Sequence, residues 1–182
     1  PEWLAVDLLS QAEHDTAAQA ILITDNREFG EQVFQAVETS LRSLPRASIA
    51  SKSWQEFGAI IVVKKLSQAI PLIDKIAPEH LELAIAKPDF FAEKIRNAGA
   101  IFLGRYTPEA LGDYLAGPNH VLPTARSSRF SSGLGVLDFM KRSSFVGANA
   151  ESLSEVSSAA VLLAKAEGLT WVILTRSALI RS

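Results

Sequence analysis

The 182-residue sequence contains no cysteine, which excludes disulfides, iron–sulfur clusters and cysteine-based zinc sites and fits a reducing, cytoplasmic setting. Any metal would rest on histidine, aspartate, glutamate or an amide oxygen. Charge of one sign is scarce too: 18 basic against 20 acidic residues leave a net charge of −2. With no Lys/Arg run, neither a nucleic-acid partner nor a membrane surface is expected. No apolar run approaches the ~20 residues that cross a bilayer, and no signal peptide, repeat or low-complexity tract is visible. No Gly-x-Gly-x-x-Gly follows a strand. The nearest pattern, Gly133-Leu134-Gly135, lies in a polar stretch and lacks the third glycine.

What is present is 48% hydrophobic and 21% charged, enough for one large domain, alone or with an appendage. Glu2 to Asp15 reads as an amphipathic helix with Leu4, Val6, Leu8 and Leu9 apolar. Short apolar runs at 19–25, 58–63, 81–85 and 99–103 read as strands. Helical spacing follows them at 27–44, 65–76 and 88–97, two of these helices being limited by Pro45 and Pro88. This alternation predicts an α/β fold with a parallel sheet. From Thr107 the pattern changes to a short helix over 108–115, a Gly/Pro loop, a polar connection over 124–135 and an extended segment over 136–146. Ala150 onwards predicts a helix capped by Asn149 or Ser152 and ended by Gly168, with Leu153, Val156, Ala160, Leu163 and Ala164 on one face. The tail from Thr170 is too apolar to lie free in water and is expected to pack on a partner subunit or on chain outside this sequence.

Three stretches carry chemistry. In the first, Gln11 and His14 are three residues apart on a helix and share a face, so an amide oxygen and an imidazole can reach one metal ion or polar ligand. In the second, Pro78 pushes Ala77 toward an extended conformation and places Glu79 and His80 where a helix gives way to a strand. An adjacent carboxylate and imidazole are two bases of different strength, useful for taking a hydroxyl proton. Neighbours in a regular strand point to opposite faces, so both serve one site only where the backbone is irregular. In the third, Asp113 offers a hard anionic oxygen with glycines on either side. His120, in a turn, reads as a structural hydrogen-bonder.

Taken together, Ser10-Gln11-Ala12-Glu13-His14-Asp15, Ala77-Pro78-Glu79-His80-Leu81 and the run Gly112-Asp113-Tyr114-Leu115-Ala116-Gly117-Pro118-Asn119-His120-Val121-Leu122-Pro123-Thr124 resemble histidinol dehydrogenase in order and spacing. The resemblance runs from Pro1 to about Thr170 and implies a zinc- and NAD-dependent enzyme that oxidises L-histidinol to L-histidine through the aldehyde. By the match, Gln11, His14 and Asp113 are zinc ligands, and Glu79 and His80 the acid–base pair. Gln11, His14, His80, Asp113 and Glu167 contact substrate. One carboxylate among three ligands leaves the metal a net positive charge, which keeps it a good Lewis acid.

Two departures from the family bear on function. Family members are considerably longer, and the NAD-binding portion and a substrate-contacting serine are not found in this sequence. In the family, Glu-Gly-Leu-Thr is followed almost at once by Ala-His, and that histidine completes the neighbouring subunit's zinc shell. Here the place reads Trp171-Val172-Ile173-Leu174, and no histidine follows His120. The expectation is a fragment or altered form, inactive alone and binding zinc more weakly. The expected architecture is an incomplete Rossmann-like parallel sheet flanked by helices, with a small C-terminal helical tail used in dimerisation. Residues 1–125 form the α/β domain with the zinc/substrate site, 126–149 an extended connection, and 150–182 a helical segment that makes a homodimer. The alternative is a non-catalytic metal-binding or dimerisation module with a vestigial site. A zinc hydrolase lacks support, since no His-Glu-x-x-His is present.

Overall fold

The structure, a computed structural model, describes residues 1–169. The chain divides into two compact units, Pro1–Phe139 and Met140–Ser182. The expected connection over 126–149 straddles that division.

The first unit is built from helices and two small parallel sheets. Helix α1 (Glu2–Ala12), strand β1 (Ile21–Thr24), helices α2 (Arg27–Leu41) and α3 (Ala47–Phe57) and strand β2 (Ala59–Val62) form its first half. Asn26 caps α2 by accepting from the Phe29 N–H at 3.0 Å. Val33, Val37 and Leu41, at helical spacing on α2, pack with Ala5, Leu9 and Ala12 of α1 and with Ala50 and Trp54 of α3. α3 has no counterpart among the sequence expectations. It is mostly small and polar, and inside it a fully buried Ser53 is accommodated because its hydroxyl donates to the Ala18 carbonyl at 2.8 Å.

The second half contains α4 (Ala69–Ile76), β3 (His80–Leu83), α5 (Pro88–Ala92), β4 (Ala100–Leu103) and α6 (Glu109–Tyr114). A 3₁₀ turn over Leu66–Gln68 replaces the start of the helix expected from Lys65. The strands lie where expected, but they make two two-stranded sheets, β1 with β2 and β3 with β4, in place of one. Apolar runs identify strands, whereas partners are chosen by packing between distant segments.

Two further expectations are corrected. Ala77 is left-handed (φ 52°, ψ 62°), not extended. Its N–H closes α4 on the Ile73 carbonyl at 2.7 Å, and its own carbonyl accepts the Ser128 hydroxyl at 3.1 Å, so capping overrides the effect of Pro78. Arg126 and Arg129 donate to the nearby Lys75 carbonyl at 2.5 and 2.7 Å, which gives part of the polar connection a fixed place at the end of α4. The segment from Val136 is not extended at its start: Val136–Phe139 is a 3₁₀ turn, held by the Gly135 N–H donating to Asp138 Oδ2 at 2.6 Å.

In the second unit α7 (Ala150–Ala166) starts with a reciprocal cap. The Asn149 side chain accepts from the Ser152 N–H, and the Ser152 hydroxyl accepts from the Asn149 N–H. It ends where Gly168 takes φ 75° and Leu169 N–H reaches back to the Ala164 carbonyl at 2.8 Å, a Schellman closure. Ala164 is buried, while Val156, Leu162 and Leu163 are exposed. The tail from Thr170, with its expected dimerising role, lies outside the described residues. No helix among the described residues is long and apolar enough to cross a membrane.

Candidate active site

The β3–β4 pair sets the floor of the site. His80 aligns with Ala100 and Glu82 with Phe102, so these four residues share one face of the ladder. The His80 ring lies against Phe102, with centroids 5.9 Å apart. Helix α6 crosses this face closely because Gly112 has no side chain: a Cβ there would overlap the edge of the Phe102 ring at Cε1. That approach brings Glu109 and Asp113, one helical turn apart, onto the imidazole. His80 Nδ1 is 3.7 Å from Glu109 Oε1, and Nε2 is 3.7 Å from Asp113 Oδ1. All three side chains are largely buried, and His80 Nε2 has no hydrogen-bond partner.

Burial raises the Glu109 carboxyl above its ordinary range; His80 and His14 oppose the rise, while Asp113 and Glu79 add to it. Glu109 therefore feels a residue from each of the three stretches. Glu79 sits in a bend immediately before β3, the kind of irregularity that a shared Glu79/His80 site requires, and the charges of both reach Glu109. Gln11 is half-buried near the end of α1, and exposed His14 lies in the turn beyond, its N–H donating to the Gln11 carbonyl at 3.3 Å. His120 is exposed in the loop after α6. Glu167 caps the C-terminus of α7 in the second unit, outside the unit that holds the cluster.

On this same face, Glu82 forms a second acidic pair with Asp7 of α1. Burial, then the neighbouring Asp7, push the Glu82 carboxyl up to about 7. Burial likewise raises Asp7. Glu82 Oε1 accepts from the Glu109 N–H at 2.8 Å.

His80, Glu109 and Asp113 each offer a ligand atom within 4.8 Å of the others. Imidazole and carboxylate donors suit a divalent cation such as zinc, and the orphaned buried Nε2 is satisfied by a cation or by a donor on a ligand. Asp113 is in this group and His14 is not. Sequence reasoning missed Glu109, although its spacing of four residues from Asp113 on a helix was a readable signal.

The family model described as histidinol dehydrogenase matches residues 1–178. The chain is 65% identical over 170 residues to histidinol dehydrogenase of Rhodospirillum rubrum, and 59% identical over 169 residues to that of Rhizobium meliloti. Each alignment covers 93% of this chain and 39% of the relative, so the chain spans about two-fifths of the length of the curated relatives it matches. The fold is similar to a crystal structure of histidinol dehydrogenase from Elizabethkingia anophelis, with a TM-score of 0.81 and 36% identity over 100% of this chain and 42% of that one. By sequence match and by fold, this chain belongs to the histidinol dehydrogenase family, a family of oxidoreductases.

Proposed function

We propose that this chain carries the metal- and substrate-holding face, and the acid–base pair, of an enzyme that oxidises L-histidinol to L-histidine with NAD as acceptor in histidine biosynthesis. The observation that carries the reading is the meeting of His80, Glu109 and Asp113, whose ligand atoms lie within 4.8 Å of one another. Gln11, His14 and Asp113 would hold zinc, which supplies Lewis-acid polarisation and an anchor for the amine and imidazole of the substrate. Glu79 and His80 are the two bases for the protons of the substrate hydroxyl and of the water that adds to the aldehyde. Glu109 flanks the other ring nitrogen of His80 and stabilises the imidazolium formed when the proton arrives. Phe102 shields one face of that ring from water. Glu167 contacts substrate by the family match. None of these residues is assigned to NAD, and the chain by itself does not turn over.

The sheets represent part of a Rossmann-like architecture, and residues 1–125, 126–149 and 150–182 act as site domain, connection and dimerising segment. The exposed Val156, Leu162 and Leu163 of α7 support a homodimer contact. A second reading, a metal-binding or dimerisation module with a vestigial site, is favoured by one observation: no histidine follows His120 in the sequence, where the family resemblance implies a zinc-ligating one within 171–174.

Histidinol titrated into the zinc-loaded chain and followed by amide NMR tests the proposal. Perturbation of Glu79, His80 and Asp113, with no NADH formed on adding NAD, is the expected outcome. Absence of perturbation at those residues contradicts substrate binding, and NADH formation contradicts the inactivity of the isolated chain.

A further inference from the structure

The three elements that meet at the site come from distant parts of the sequence, and Glu82 touches all of them. It is on β3, two residues after His80 and on the same face. Its Oε1 takes the Glu109 N–H at 2.8 Å, the first amide of α6. Its carboxyl is also within hydrogen-bonding reach of Asp7 on α1. Asp7 belongs to a helical face on which Trp3, Asp7 and Gln11 recur every four residues. Trp3 packs on Tyr106, just ahead of α6, with ring centroids 6.2 Å apart. Farther along, His14 is close enough for its charge to act on Glu109. α1 thus meets the segment ahead of α6 through Trp3 and approaches β3 at Asp7, where Glu82 is the polar tie.

We propose that Glu82 is a positioning residue: by holding Asp7 of α1 and the Glu109 N–H of α6 at once, it fixes the spacing between Gln11 and His14, His80, and Asp113. It touches neither substrate nor metal in this assignment. Removing it frees α1 and α6 to shift independently against β3, and a ligand set drawn from different elements loses its preformed geometry. A glutamine preserves the tie, because its Oε1 accepts from Glu109 and its amide donates to the Asp7 carboxylate. The metal arm of the test rests on the zinc reading of the previous subsection; the amide arm does not.

The test compares the full chain with Glu82→Leu, Glu82→Gln and Asp7→Ala, by hydrogen exchange at the Glu109 amide and by calorimetric titration of zinc. In Glu82→Leu, exchange at Glu109 accelerates and zinc affinity falls, each by about tenfold or more. In Glu82→Gln both stay within about twofold of wild type. Asp7→Ala, the safeguard should Glu82→Leu not fold, weakens zinc while leaving Glu109 protected. A wild-type response in Glu82→Leu overturns the proposal, as does a Glu82→Gln loss equal to that of leucine. Unchanged zinc affinity in Asp7→Ala overturns the α1 half. Should the wild-type chain bind no zinc, the metal reading fails, and exchange at Glu109 still decides whether Glu82 holds α6.

Discussion

His80 Nε2 and Asp113 Oδ1 stand 3.7 Å apart, too far for a hydrogen bond, and Nε2 is buried with no other partner. A polar atom so placed costs about 1–3 kcal/mol. The arrangement persists because the imidazole rests on Phe102 and the aspartate arrives on a helix packed against the same ring. A cation or ligand between the two atoms would restore the missing interaction.

Gly112 controls that gap. In Gly112→Ala the added methyl runs into the Phe102 ring. Better helix propensity returns about 1 kcal/mol, while overpacking costs about 1–3 kcal/mol, so the net is destabilising. A lower urea midpoint and weaker zinc binding are expected. A variant as stable as wild type contradicts the close packing of α6 on Phe102.

Glu82 makes stability depend on pH. Its carboxyl is pushed up to about 7 in the folded chain against an ordinary 4.5, so between those values the folded state holds the proton more tightly. Its contribution is most favourable below pH 4.5, and stability is lost as pH rises through about 7. Solvent screens a half-buried carboxyl, which leaves about 1–2 kcal/mol of the effect. Glu82→Gln, which cannot ionise, should therefore gain stability over wild type at pH 8 and not at pH 4.5. Denaturant melts at the two pH values check this; an advantage that is larger at the acidic value contradicts the direction of the shift.

The cap of α7 is a local test of the second unit. Asn149→Ala removes the acceptor for the Ser152 N–H and should cost about 1 kcal/mol of helix stability. Faster hydrogen exchange confined to the first turn of α7 is the expected signature, and unchanged protection there contradicts the capping box.

Much of this was legible in the sequence wherever a local rule and the tertiary structure agree. Asn149 caps the helix it precedes, Gly168 ends α7, and each of the four strands is an apolar run. α3 was illegible because its buried side comprises Ala50, Ser53 and Trp54, and a serine satisfied by the Ala18 carbonyl carries no hydrophobic signal. Ala77 defied its proline because the cap of α4, completed by Ser128 from 51 residues away, outweighs a nearest-neighbour preference. Val136 looked extended, but Asp138 folds the chain back on Gly135. In the site, the three motifs fall on α1 and the turn after it, at the start of β3, and on α6. Glu109 escaped notice because its importance comes from α6 meeting His80, a contact between residues 29 apart in sequence.

Whether Gln11, His14 and Asp113 hold a divalent cation beside His80 is decided by calorimetric titration of zinc into the wild-type chain, His14→Ala and Asp113→Ala. One zinc per wild-type chain is expected, with an affinity about 10–100-fold weaker in each variant. Equal affinity in wild type and Asp113→Ala would remove Asp113 from the ligand set and refute the proposed metal centre.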